Sequence, residues 1–309
     1  GFCILNALIP ICSSYLRAFG FSKEPLYASI IGNVINFCLN AFFLFVLHKG
    51  VAGVATATVI SRIINLVIVV LLGAVLVKAK QHPERESNRE VMGQIIRIGL
   101  PSACETAIYN VSMTLVIRFL NQMDAQGLNV TARSYTMQIT NFSYCVGAAL
   151  AQANAIMTGW RIGAKEYDAC DRGTRKAAII GVIVAVILET MFALCSGWIM
   201  QLFSKDPQMV SLVGKLLAID IVLEMGRVTN LVYGQALKTS GDAVFPVVMG
   251  ACFMILCSVG GTYLFGIRLG LLAVGAYIGM TGDECVRAVG MYLRWKSGKW
   301  KEKGLVKSR

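Results

Sequence analysis

The chain consists mainly of apolar segments that are long enough to cross a bilayer. The clearest is Val51–Val77, in which Arg62 is the only charged residue. About 20 apolar residues span the hydrocarbon core as a helix, and a helix satisfies its own backbone hydrogen bonds there. Hydrophobic residues make up 56% of the sequence and charged residues only 15%. That balance is too apolar for an ordinary soluble domain, so we predict an all-α integral membrane protein.

Nine such spans are predicted, three before and six after the one long polar stretch, residues 78–94. We expect residues 1–77 to be the incomplete end of a first lobe, 78–94 a cytoplasmic linker, 95–295 a second lobe and 296–309 a basic cytoplasmic tail. The predicted spans are residues 1–18, 26–47, 51–77, 95–120, 131–158, 176–203, 209–237, 243–265 and 271–295.

Two loops share one sequence pattern. LRAFGFSKEP at 16–25 and LKTSGDAVFP at 237–246 match in their leucine, basic residue, glycine and proline. This match predicts an internal repeat that pairs the first three spans with the last three. Partners of the middle three would lie upstream, so we expect a twelve-helix, two-lobe transporter that lacks its N-terminal part here. Repeats six spans apart point the same way, which implies a pseudo-twofold axis along the membrane normal.

Basic residues give a net charge of +12 and lie in short loops and in the tail. This distribution is typical of cytoplasmic membrane loops and argues against nucleic-acid binding. It predicts a multi-pass plasma-membrane protein with a cytoplasmic C-terminus. The opposite loops hold few bases, which we take as Lys49, Arg118, Arg133, Lys205 and Arg268.

No enzyme motif occurs: GxSxG, HExxH, Walker A and GxGxxG are all absent, and the ten cysteines form no CxxC pair. We therefore predict no catalytic activity, no cofactor and no metal centre formed by cysteines. Without a nucleotide-binding loop, transport would have to be driven by a proton or sodium gradient.

Charged residues within the predicted spans are the candidate site. Asp220, Glu224 and Arg227 share one face of a helix, since they are spaced four and three residues apart. An ionised group near the bilayer centre costs about 2.5–3.5 kcal/mol, so such residues are rarely without a role. They form either an internal salt bridge or a site where Arg227 holds the carboxylates until a substrate or cation competes.

Glu105 is the second candidate. It follows Pro101 by four residues, and a proline loosens the hydrogen bonding of a helix at that point. A desolvated carboxylate there can bind a proton or a sodium ion and release it to water. The alternative is a structural glutamate that is hydrogen-bonded to a neighbouring helix.

Three further features are weaker. Gln138, Asn141 and Gln152 belong to a polar stripe on the 131–158 span, which lines a wet cavity or joins helices. Glu189 is alone on its span, and we favour a structural role for it. The last span carries a set that can pair locally, Asp283, Glu284 and Arg287.

Several segments together resemble the multidrug and toxic compound extrusion (MATE) family over essentially the whole chain. Their order and spacing make the match specific. They are LRAFGFSKEPLYASIIGNVINFCLN (16–40), GVAGVATATVISR (50–62), IGLPSACETAIYN (98–110), EMGRVTNLVYGQALKTSGDAVFP (224–246) and GDECVRAVGMYLRWKSGKW (282–300).

The resemblance implies twelve helices in two lobes and export of a small organic, mostly cationic substrate by antiport with protons or sodium ions. It also implies a protein that works as a monomer in the bilayer when complete. In the sodium-coupled branch, acids of the seventh and tenth helices correspond to Tyr109 and Arg227 here. Glu105 and Glu224 each lie one turn away, so the branch's ion coordination does not transfer directly.

Two alternatives stay open. A lipid-linked precursor flippase of the same superfamily would use cavity arginines, for which Arg62, Arg227 and Arg287 are available. A non-transporting membrane scaffold fits poorly with so many charges inside the predicted spans.

Overall fold

The computed structural model describes residues 3–78, 88–124 and 126–303. These ranges are almost entirely helical and contain no strand, which confirms the predicted all-α class. The chain divides into two compact units, residues 1–86 and 87–309.

The first unit holds three helices: α1 Cys3–Ala18, α2 Lys23–Ala41 and α3 Gly50–Lys78. A π-helical turn, Phe42–Val46, extends α2. α3 packs against both α1 and α2. The buried side chains at their contact are Leu16, Ala28, Val69 and Val77.

The second unit is built around one long helix, α8, which packs against α5, α6 and α10. α4 packs instead against α9 and the π-helical turns that follow it. A 3-10 helix, Lys299–Lys303, follows the last α-helix. The helices are α4 Asn88–Met123, α5 Leu128–Gly163, α6 Tyr167–Leu194, α7 Ser196–Met200, α8 Pro207–Thr239, α9 Val244–Phe253 and α10 Leu272–Lys296. The π-helical turns are Met254–Val259 and Thr262–Arg268.

The two loops that share a sequence pattern also share a backbone structure. Gly20 after α1 has φ +89°, and Gly241 after α8 has φ +92°. The N–H after each glycine donates to the carbonyl oxygen of the leucine five residues back, at 3.0 Å in the first loop and 2.9 Å in the second. This is a Schellman helix end, and it requires a glycine because other residues are strained at such φ values.

Predicted span limits lie within about five residues of the helix ends except in two places. α4 begins at Asn88, seven residues before the predicted start of its span and inside the predicted linker, of which residues 79–87 lie outside the described residues. We predicted a span over 176–203, but α6 begins at Tyr167 and ends at Leu194. The helical conformation is interrupted at Cys195, and the short helix α7 follows. The charged start of α6 resembled a loop in sequence, although helix formation does not depend on polarity. Within the described ranges, four spans are long and apolar enough to cross a bilayer: 23–46, 50–77, 167–194 and 244–268. The total number of spans stays a prediction.

α8 approaches its neighbours closely because small residues face it. Val228 lies between Gly147 of α5 and Gly181 of α6, and a Cβ at either glycine would come within 2.7 Å of it. Gly226 faces the backbone of α10, where a Cβ would meet the amide nitrogen of Cys285 at 2.9 Å. These contacts leave no space between α8 and its partners at this level.

The beginning of the predicted tail is folded rather than loose. Trp300 is buried and stacks on Trp295, with ring centroids 4.2 Å apart. Asp242, in the loop between α8 and α9, accepts from Arg294 Nε at 2.6 Å and from Lys303 Nζ at 2.7 Å. The Asp242 side chain is 0% exposed, so these two bases join the loop, α10 and the tail.

Asp242→Asn should lower the free energy of unfolding by about 1.5–3 kcal/mol, because it weakens two hydrogen bonds to charged groups. Burial alone would raise the pKa of Asp242, but the bonds from Arg294 and Lys303 outweigh it and hold the pKa below 3.8. A lowered pKa stabilises the fold above the unfolded-state pKa, and this contribution is lost as the pH falls through the folded pKa.

Thermal unfolding in detergent between pH 7 and pH 3 measures both effects. The exposed carboxylate of Glu302 provides the matched control, Glu302→Gln. A variant with wild-type stability at pH 7 would contradict the role assigned to Asp242.

Candidate functional site

A cavity of about 540 Å³ lies inside the second unit, between α4, α5, α8, α9 and α10. Its volume is within the range of about 300–1,000 Å³ that small-molecule sites occupy. Its walls combine apolar side chains such as Met137 and Met280 with charged groups from four of the helices, α4, α5, α8 and α10.

Glu105 enters this cavity from α4. Its Oε2 accepts a hydrogen bond from Lys238 Nζ of α8 at 2.6 Å. Gly250 of α9 leaves room for the carboxylate, since a Cβ there would lie 3.4 Å from Glu105 Oε1. The candidate glutamate is therefore paired with a base from another helix.

Arg227 joins α8 to α10. It donates to Glu224 Oε2 at 2.8 Å and lies 3.6 Å from Glu284 Oε1. Asn230 donates to the other oxygen of Glu284 at 3.1 Å. Arg227 lines the cavity, while Glu224 is fully buried behind it.

Asp220 also lines the cavity, one turn before Glu224. One oxygen of each of these buried carboxylates, Asp220 Oδ2 and Glu224 Oε1, has no hydrogen-bond partner. Asp220 and Glu224 therefore keep spare acceptor capacity next to Arg227, at oxygens that are enclosed by protein and that a proton can use.

The charged residues of α10 pair with one another as expected. Arg287 donates to both oxygens of Asp283, at 2.8 and 3.0 Å, and to Glu284 at 2.9 Å. Ser258 donates a further hydrogen bond to Asp283 at 2.9 Å. Glu284 thus lies between two arginines on different helices, which the sequence did not indicate.

The other predicted residues divide into two groups. Tyr109 and Asn141 line the cavity together with Asp220 and Arg227. Gln138 and Gln152 are exposed on α5 and do not line it. The α5 residues that line it are Arg133, Met137, Thr140, Asn141 and Tyr144. Arg62 is an exposed residue of the first unit.

Arg133 is a site residue that the sequence reasoning missed, since we counted it among the loop bases. It lies within α5, is buried and lines the cavity. One guanidinium nitrogen contacts Met113 Sδ at 3.6 Å, and Nε has no hydrogen-bond partner. Among the described residues, no carboxylate forms an ion pair with it. The sequence did contain a signal for this role, because residue 133 falls inside the predicted 131–158 span and not in a loop.

No group of three or more His, Cys, Asp or Glu side chains in the described ranges is arranged to hold a metal ion. A sodium ion at Glu105 stays a prediction, and it would have to compete with the Lys238 ammonium for the same carboxylate.

Comparison with known proteins identifies the family. The MatE family model matches residues 101–264, which is more than half of the chain. The "Uncharacterized transporter YisQ" of Bacillus subtilis (strain 168) is 33% identical over 99% of this chain and 68% of that protein. The chain belongs to the MatE family. The resemblance found in the sequence is thereby confirmed.

Two further comparisons agree at lower sequence identity. The "Probable multidrug resistance protein NorM" of Thermotoga maritima is 23% identical over 97% of this chain and 65% of that protein. A solved structure, "Crystal structure of MATE in the straight conformation", matches 95% of this chain and 67% of that chain, with a TM-score of 0.84 and 19% identity. That likeness confirms the MATE fold. The chain spans about two thirds of the length of YisQ and of the Thermotoga maritima protein.

Proposed function

We propose that the whole protein exports small organic cations across the cell membrane in antiport with protons or sodium ions. The observation that carries this is a cavity lined by Glu105 and Asp220, with spare acceptor capacity at Asp220. Relatives named as multidrug resistance proteins support the same activity. The absence of catalysis, a monomeric state and a cytoplasmic C-terminus are part of this proposal.

The exchange can result from competition between the organic cation and the proton or sodium ion for the same carboxylates. An organic cation that reaches Glu105 must displace the Lys238 ammonium, and one that reaches Asp220 comes close to the Arg227–Glu224 pair. A proton or sodium ion can neutralise the same carboxylates. Because one carboxylate cannot bind both cations fully, each cation weakens the binding of the other, as antiport requires.

A second candidate function is supported by Arg133. A buried guanidinium without a carboxylate partner suits an anionic group, and Arg227, Lys238 and Arg287 line the same cavity. This arrangement favours a flippase for an anionic lipid-linked precursor, although those three other bases are already paired with carboxylates.

A flux assay with the whole protein in proteoliposomes separates the two functions. We expect efflux of a cationic dye when a proton or sodium gradient is imposed, and no movement of a labelled anionic lipid precursor. Precursor movement without dye efflux would replace the exporter with the flippase. Movement of neither compound would overturn both.

A further inference from the structure

Glu189 of α6 is a buried acid that the site described above does not use. Its side chain is 0% exposed, and neither carboxylate oxygen has a hydrogen-bond partner. The Ser143 hydroxyl of α5 is also buried and faces it, but the contact between the two groups falls short of hydrogen-bond geometry. Glu189 does not line the cavity.

The charged groups that face Glu189 are predominantly negative. From α8 they are Asp220, Glu224 and Arg227. From α5 the facing polar group is Ser143, and α7, with the sequence SGWIM, contains no titratable residue. The one guanidinium is already bound to Glu224, so an ionised Glu189 would have no counter-ion among the described residues. A charge buried in this way is strongly unfavourable, and binding a proton removes it.

Close packing isolates Glu189 on one side. Val228 fills the space between Gly147, one turn after Ser143 on α5, and Gly181, two turns before Glu189 on α6. No gap remains there for a water molecule or a proton carrier. On the other side, α6 packs against α8, and Asp220 of α8 both faces Glu189 and lines the cavity.

We propose that Glu189 is a proton-binding site linked to the cavity through Asp220. Glu189 carries a proton while the cavity lacks a cation, and it releases the proton when a cation binds next to Asp220. In that step the O–H bond of the acid breaks, the electron pair stays on the carboxylate, and the proton passes by way of Asp220 to cavity water, which carries it away. The incoming cation replaces the lost positive charge, so the net charge is unchanged.

This role rests on the exporter proposed above, for which Glu189 would be a proton-exchanging group. Linkage makes the effect reciprocal: if a bound cation promotes proton release, then releasing the proton strengthens cation binding by the same factor. The location differs from that of Glu105, which lies on α4 and is paired with Lys238.

Infrared difference spectroscopy of the purified whole protein tests the site without any transport. The C=O stretch of a protonated, buried carboxyl should appear in the wild type as the pH is lowered and should be missing in Glu189→Gln. Glu302→Gln, at an exposed position, should retain the band. A wild type without a band, or wild-type and Glu189→Gln spectra that match at every pH, would overturn the proposal, because bands from the other buried acids, Asp220 and Glu224, are common to both proteins.

Asp220→Asn tests the link to the cavity. Removing one nearby negative charge imitates a bound cation and makes the Glu189 proton easier to lose. At the pH where the wild-type band has half of its full intensity, the variant band should have about a tenth of its own full intensity. This is the expected result if the titration of the band moves by about one pH unit. Asp220→Glu, which retains the charge, should remain near half. Equal intensities in Asp220→Asn and the wild type would overturn the link.

Two further measurements test the proposal if one of these variants does not fold. Ser143→Ala should move the band in frequency because it removes the facing hydroxyl, and an unmoved band would count against Glu189. Adding tetraphenylphosphonium to the wild type should reduce the band, and an unchanged band with this cation bound would overturn the link. Failure of dye efflux with an intact Glu189 band would overturn the exporter alone.

Discussion

Glu105→Gln should abolish gradient-coupled export by the whole protein while leaving its insertion and folding nearly intact. The amide retains the shape of the side chain and can still accept a hydrogen bond from Lys238, but it can neither exchange a proton nor neutralise a sodium ion. One charge moving through 100 mV is worth about 2.3 kcal/mol. Losing that coupling lowers the maximal accumulation ratio by roughly 50-fold.

Dye efflux at matched expression, followed across pH and sodium concentration, measures this effect. Glu105→Asp retains the charge and should keep part of the coupling, and Glu166→Gln, at an exposed position, should behave as the wild type. A Glu105→Gln protein with wild-type rates and wild-type dependence on pH or sodium would assign Glu105 a structural role. The role of Glu105 would then be limited to its ion pair with Lys238.

The sequence was sufficient to predict the helical class and the paired loops, because both depend on local chemistry. Apolar runs favour helices in a bilayer, and a left-handed helix end requires a glycine, as at Gly20 and Gly241. The local ion pairs of Arg227 with Glu224 and of Arg287 with Asp283 were also predictable, since residues three or four apart share a helix face.

The rest depends on which helix faces meet, and a single sequence does not encode that directly. Nothing near Lys238 indicates that its ammonium reaches Glu105, which is 133 residues away. Glu284 and Arg227 meet because Gly226 lets α8 approach the backbone of α10. On α5, of the predicted residues Gln138, Asn141 and Gln152, Asn141 lines this cavity and the other two do not, because a step of one or two residues rotates a side chain by about 100–200°.

The ion pairs of Arg227 with Glu224 and Glu284 should have a large effect on the stability of the protein. Arg227→Met should lower the free energy of unfolding by about 3–5 kcal/mol, because it leaves the fully buried Glu224 carboxylate without its base. Glu284 is less affected, since Arg287 still binds it at 2.9 Å. Unfolding of the purified protein in mixed detergent micelles, followed by circular dichroism, measures the loss.

The double variant Arg227→Met/Glu224→Gln decides why stability is lost. If the cost comes from an uncompensated buried charge, neutralising Glu224 should recover at least half of it, since the Glu224 charge that lost its base is then removed as well. If the cost comes from lost packing of the arginine side chain, the double variant should be no more stable than the single one. Lys205→Met, which removes an exposed positive charge near the start of α8, should change stability by less than about 0.5 kcal/mol. A loss of similar size in Lys205→Met and Arg227→Met would contradict a specific role for Arg227, because overall charge would then explain both.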